Sequence, residues 1–249
     1  MQDKLETQPA KQTSIRRALW KRWLLLWPFA LGLIVYPVSN TTLRVATVAC
    51  VVLLVAGLIA FNWQHRWLKI ASASVATVLL AFLLFPGREA QFPALQRQYL
   101  TSLRHYEGVR YVWGGENRFG IDCSGLVRRG LVNALLEESV STLNPALLRQ
   151  GLFLWWNDCS ARALGDGHLR LTTVVTESDS INQIDPGQIQ PGDFAVTADG
   201  LHVVAYLGGN EWIEADPDAR KVLHLNTPST NSWFDTPVKV MRWTLLKGE

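Results

Sequence analysis

Of the three cysteines in this chain of 249 residues, one stands in a setting that favours attack on a carbonyl carbon. Asp122-Cys123-Ser124-Gly125 opens an apolar-periodic segment, which puts the Cys123 thiol on the first turn of a helix. Free backbone N–H groups and the helix dipole favour an anion there, and the thiolate is the nucleophilic form. Such a nucleophile works with an imidazole, and the imidazole with a group that orients it. Of the five histidines, His65 lies between apolar runs, His105 on a leading helix, His168 in a Gly-Asp-Gly turn and His224 in mid-strand. His202 opens a strand directly after the Asp199-Gly200 turn, where its ring can face a cleft. Twelve residues on, past a turn at 208–210, Glu214 can be set beside His202 by an antiparallel hairpin. The other two cysteines are less suggestive. Cys50 lies inside an apolar run and reads as a small hydrophobe, and Cys159 sits in a Trp-rich polar stretch.

The elements that must position these groups follow from the residue pattern. Residues 92–105 space Leu95, Tyr99, Leu100 and Leu103 as an amphipathic helix. It leads into a short strand at Tyr111-Val-Trp, which breaks at Gly114 and Gly115. After Cys123, Leu126, Val127, Leu131, Val132, Leu135 and Leu136 predict a helix ending near 137–139. Asn144-Pro145 then reads as a cap with proline at the first helical position, starting a helix to about 157 that includes Trp155 and Trp156. Residues 169–176 are strand-like. Beyond Pro186-Gly187 and Pro191-Gly192 come short strands at 194–197, 201–207, 211–215, 221–225 and 239–245. This is an α+β arrangement, N-terminal helices packed on an antiparallel meander.

The first third of the chain has another character. Residues 1–18 are polar and basic without periodicity and predict a structureless tail. Apolar runs follow at 23–38, 45–61 and 70–86, free of internal charge and close to the length that spans a bilayer. They predict three transmembrane helices within 19–87, with Trp20, Trp23, Trp27, Trp63 and Trp67 at their borders. Lys4, Lys11, Arg16, Arg17, Lys21 and Arg22 precede the first run, one basic residue lies in the next link, and Arg66 and Lys69 lie in the one after. The positive-inside rule then puts the tail in the cytoplasm and, with three crossings, the domain at 88–249 outside the cytoplasmic membrane. The formal net charge of +3 is too small to argue for a nucleic-acid partner.

At this point a resemblance becomes specific. Tyr111-Val-Trp-Gly-Gly115 leading to Gly120-Ile-Asp-Cys-Ser-Gly-Leu-Val127 resembles the nucleophile motif of the NlpC family of papain-like cell-wall cysteine peptidases. Pro191-Gly-Asp-Phe194 and His202-Val-Val-Ala-Tyr-Leu-Gly208 resemble that family's second and third signatures, and the match covers roughly 95–245 in order. The resemblance implies a papain-like fold and cleavage of peptidoglycan stem peptides at the bond between D-glutamate and a diamino acid. It implies Cys123 as nucleophile, His202 as general base and then acid, and Glu214 in the imidazole-orienting position. Tyr111, Asp122 and Ser124 would line the substrate cleft, with Asp122 able to accept a substrate ammonium. The Cys123 N–H would serve an oxyanion hole.

Two features depart from the family pattern. The third position, ordinarily histidine, asparagine or glutamine, is glutamate here, an anion that favours the imidazolium. The stretch at 133–190 is longer than a minimal domain needs and reads as a helical insertion, a lid or docking surface open to a protein partner around Trp155 and Trp156. Two alternatives stay open: a papain-like amidase or acyltransferase acting on lipid or other amides, and an inactive domain that binds wall peptides or a partner. No cofactor or metal is implied. Gly115 and Gly120 have phosphate-loop spacing but are followed by Ile121 and Asp122, and no Cys/His set has zinc spacing.

Overall fold

The structure is a computed structural model and describes residues 7–88 and 90–247. Two units divide the chain. One holds the N-terminal helices; the other holds the link Pro37–Thr41 and everything from Phe82 onward.

In the first unit, α1 (Thr7–Val35), α2 (Thr41–Phe61) and α3 (Arg66–Leu84) follow one another. Residues 1–6 of the expected tail lie outside the described residues, but 7–18 are not structureless: they form the first turns of α1, where no proline or glycine follows Pro9 to break the helix before Pro28. Among the described residues two helices, α2 and α3, rather than the expected three, are long and apolar enough to cross a membrane. Trp23, Ala30, Cys50 and Leu54 form this unit's buried cluster, and Trp23 Nε1 donates to the Leu54 carbonyl at 3.2 Å. Cys50 is thus packed as a small apolar side chain.

In the second unit, α4 (Phe92–Arg104) and α5 (Cys123–Thr142) lie together, and α6 (Pro145–Trp156) packs along α5. A two-residue pair, β1 (Glu116–Asn117) and β2 (Gly120–Ile121), precedes α5, and α7 (Ala161–Gly165) follows α6. The main sheet has β3 (Thr172–Ser178), β4 (Phe194–Thr197), β5 (Val203–Gly208), β6 (Glu211–Asp216), β7 (Lys221–Asn226) and β8 (Val238–Trp243). All neighbours are antiparallel in the order β3-β8-β4-β5-β6-β7. The meander therefore covers β4 to β7 only, and β8 returns to separate β4 from β3.

Alternation along β5 sets the two faces. Val203, Ala205 and Leu207 join the core with Leu95, Leu103, Leu126 and Leu131 of the helices. Val204 and Tyr206 pack in a second cluster with Ile181, Trp212, Phe234 and Val238. Several expected boundaries move. The Tyr111 strand is reduced to isolated bridges, Arg110 with Lys221 and Tyr111 with Ile121, because the glycine turn follows so closely. Helix α5 runs past 139 to Thr142, since Ser141 and Thr142 hydroxyls donate back to the Glu138 carbonyl and keep the polar turn helical. Leu169 and Arg170 take positive φ, 49° and 62°, so β3 starts only at Thr172. The stretch 133–190 is not helical throughout, because β3 within it belongs to the main sheet.

The Pro191-Gly-Asp-Phe194 motif is a hinge into β4. Gly192 has φ +98°, and a Cβ there would press on Leu246 and Tyr99 at 3.3–3.4 Å. Asp193, wholly buried, accepts two bonds from Arg242 of β8, each 2.7 Å, and one from the Gln190 N–H at 2.8 Å. A buried carboxylate met by a planar guanidinium ties β4 to β8.

Candidate active site

Helix α5 starts at Cys123 because Asp122 caps it. Its Oδ1 accepts the Gly125 N–H at 2.6 Å and the Ser124 hydroxyl at 3.1 Å, while Oδ2 accepts the Gly114 N–H at 2.8 Å. One carboxylate therefore both begins the helix and pins the glycine loop against it. Burial raises the Asp122 carboxyl above its ordinary range, and these donors pull it back. Gly125 admits no side chain: a Cβ would lie 2.3 Å from the Gly115 carbonyl. The link Pro37–Thr41 props the same loop. Ser39 N–H donates to Gly114 O at 2.8 Å, and Glu116 N–H to Pro37 O at 2.9 Å.

Cys123 opens onto a cleft of about 530 Å³ that Tyr111, Trp113, Asp122, Ser124, Arg162 and Leu201 also line. Burial pushes the Cys123 thiol up to about 12, the Asp122 charge adds to this, and the backbone N–H groups of Val203, Ser124 and Cys123 oppose it. The helix start lies where the sequence predicts, but the easier ionisation expected of it is overturned by desolvation. Tyr111 is raised above its usual range by burial first, then by Cys123 and Asp122.

His202 and Glu214 are 1% and 0% exposed, and His202 Nε2 lies 2.6 Å from Glu214 Oε2. The register explains the meeting. Glu214 pairs with Val204, two residues beyond His202, so the two side chains are diagonal neighbours on one face. Burial raises the Glu214 carboxyl, the His202 ring lowers it, and Asp216 and Asp218 raise it. Thr197 Oγ1 accepts the His202 N–H at 3.0 Å and fixes the backbone there. The Leu201 carbonyl lies 3.9 Å from Cys123 Sγ. No hydrogen bond joins the sulfur to the imidazole in this resting geometry, as is common before substrate binds.

Sequence reasoning missed the residues that complete this pair. Asn231 Nδ2 donates to Glu214 Oε1 and to Asp216 Oδ2, each at 2.8 Å, and so bridges two buried carboxylates. Trp233 stacks on the His202 ring, centroids 4.3 Å apart at 21°. Both come from the loop before β8, and no periodicity or spacing ties that loop to His202. Also missed was Arg128, buried one turn into α5, which is ion-paired with Glu116 and, at 2.8 Å, with Asp158. Its second amino group donates to the Asn157 carbonyl at 3.3 Å. This tethers the segment after α6, so that Asp158, Cys159, Ser160 and Arg162 form one wall of the cleft. Cys123 and Cys159 face the same cleft without a disulfide between them. Among the described residues no group of three His, Cys, Asp or Glu gathers as a metal site.

A family model described as the NlpC/P60 family matches residues 108–242, more than half of the chain. The chain belongs to the NlpC/P60 family. Members of the family are cysteine peptidases and peptidoglycan hydrolases. The NlpC/P60 match contains Cys123, His202 and Glu214 and excludes the N-terminal helices. Among solved structures, NlpC1 from Trichomonas vaginalis is similar at 15% identity, covering 64% of this chain and 48% of its own, TM-score 0.41. An NlpC/P60 family protein from Bacillus cereus is similar at 16% identity, with 64% and 41% coverage and TM-score 0.38. The peptidoglycan hydrolase RipB from Mycobacterium tuberculosis is similar at 18%, with 68% and 72% coverage and TM-score 0.40. The chain spans about half the length of the first two. No curated protein matches it.

Proposed function

We propose that this protein is a membrane-anchored cysteine peptidase that hydrolyses peptidoglycan stem peptides at the bond from D-glutamate to a diamino acid. One observation carries the reading: Cys123 lines the cleft, and the residues on both sides of His202, Leu201 and Val203, bring backbone groups to its sulfur. Because Nε2 is engaged by Glu214, Nδ1 is the ring atom left to take the thiol proton. The thiolate attacks the carbonyl carbon, and the oxyanion forms near the Cys123 N–H at the start of α5. The imidazolium then protonates the leaving amine, and a thioester remains. Water, deprotonated by Nδ1, attacks the thioester and releases the acid and the free thiol. Tyr111, Asp122 and Ser124 line the substrate cleft, with Asp122 offered to a substrate ammonium.

The anchor is three crossings, with α1 as the first and the domain on the outer side of the cytoplasmic membrane. Large apolar side chains on α1 are exposed, Leu25 by 69% and Leu31 by 62%, as a lipid-facing surface would be. The pairing of the link Pro37–Thr41 with Gly114 and Glu116 supports the same sidedness, since a crossing by both α2 and α3 returns the chain to the side of that link. Mass spectrometry of products from defined muropeptides tests the bond. Free diamino-acid peptides and D-glutamyl-terminated fragments support the endopeptidase. Release of the intact stem from the sugar, or transfer to an added amine without hydrolysis, contradicts it and supports the amidase or acyltransferase. A second reading, a non-catalytic wall-peptide binder, draws on the raised Cys123 thiol and the missing bond to the imidazole.

A further inference from the structure

Helix α6 carries a face that the proposed reaction does not use. Arg149, Leu152, Phe153 and Trp156 recur at three- and four-residue spacing and so share one stripe. Leu152, Phe153 and Trp156 are 43%, 50% and 43% exposed, and a shallow groove of apolar lining follows them. Leu152 and Phe153, exposed to this degree, forgo part of the stabilisation that burial of apolar surface brings. The position of the stripe along the chain says what covers it. The Arg149 guanidinium donates to the carbonyls of Leu83 at 2.6 Å and Phe85 at 3.0 Å, where α3 ends. Asn144, the cap of α6, accepts the Arg88 N–H at 3.2 Å and donates to the Arg88 carbonyl at 2.8 Å. Helix α6 is thus clasped along residues 83–88. On that clasped segment Leu84 and Phe85 are 74% and 65% exposed.

Helix α3 is long and apolar enough to cross a membrane, so 84–88 is where the chain leaves the bilayer if it does cross. Tryptophan, phenylalanine and leucine on one side of a helix, beside an arginine, are the composition of an interfacial helix. We infer that the outer stripe of α6 is a lipid-docking surface, seated in the headgroup region of the bilayer that α3 crosses. The inference rests on that crossing. It assigns to lipid the surface that the sequence left open to a protein partner. The segment following α6 walls the cleft, so docking holds the cleft close to the membrane and favours substrates presented there.

The test uses the full chain with Cys50, Cys123 and Cys159 changed to serine, reconstituted in phosphatidylethanolamine–phosphatidylglycerol vesicles. Phe153→Cys, Val75→Cys in α3 and Glu177→Cys on β3 each carry an environment-sensitive fluorophore, and nitroxide-bearing lipid is the quencher. Expected is strong quenching at 75, at least about twofold more quenching at 153 than at 177, and a blue-shifted emission at 153. Quenching at 75 with 153 no different from 177 overturns the docking surface while leaving the crossing intact. No quenching at 75 removes the crossing and the inference together.

Discussion

With burial pushing its thiol up to about 12, Cys123 is protonated at neutral pH in the resting protein. Alkylation of the resting protein by iodoacetamide should then be slow at neutral pH and rise only in the alkaline range, above the free-thiol value of about 8.5. A thiol that alkylates readily below that value, with thiolate ultraviolet absorbance at neutral pH, would instead be a preformed ion pair. The same shift acts on stability. Raised from 9.0 in the unfolded chain, the group contributes stability that is complete below pH 9 and lost as pH climbs toward 12. Glu214 must be ionised to accept Nε2–H and leave Nδ1 open, yet burial and Asp216 push its carboxyl upward. Asn231 opposes them by donating to both carboxylates. Losing a hydrogen bond to a charged group costs about 1.5–3 kcal/mol, and about 1.4 kcal/mol is tenfold in rate. Asn231→Ala should therefore lower kcat/KM about ten- to a hundredfold and move the acidic limb of its pH profile to higher pH, because a Glu214 carboxyl without that donor holds its proton to higher pH. An unmoved limb would reduce Asn231 to a packing residue. Cys123, His202 and Glu214 could be read in the sequence because each is marked by its own turn or helix start. Asn231, Trp233 and Arg128 could not, since only the folded chain brings them to the site.

Secondary structure was legible where local chemistry decides it. Turns at Asp199-Gly200 and 208–210 bound strands whose alternation shows in the residues themselves, and the Asp122 and Asn144 caps begin α5 and α6 where polar residues precede apolar periodicity. Pairing partners were not legible, because periodicity says which face is buried and nothing about which strand lies alongside. The insertion of β8 between β3 and β4 is of this kind. Its lock is the Asp193–Arg242 pair. Arg242→Ala leaves a wholly buried carboxylate without its cation and should cost about 3–5 kcal/mol in denaturant unfolding, with Arg242→Lys intermediate because a point-charge ammonium lacks the planar fork that meets both oxygens. A loss under about 1 kcal/mol would class the pair with exposed ion pairs.

At the scale of the whole molecule, three apolar runs were legible as composition, and among the described residues two helices, α2 and α3, are long and apolar enough to cross. The proposed three crossings put the catalytic unit outside. An impermeant thiol reagent on intact cells should therefore label Glu177→Cys in a chain lacking its native cysteines, and labelling only after lysis would place the domain in the cytoplasm. In the proposed function, Cys123 cuts peptide bonds on the outer side of the membrane. The measurement closest to that claim is digestion of defined muropeptides by the full chain and by its Cys123→Ala variant, with unfolding curves recorded for both. The account predicts cleavage after D-glutamate by the first, none by the second, and matching unfolding curves; cleavage by Cys123→Ala would contradict it.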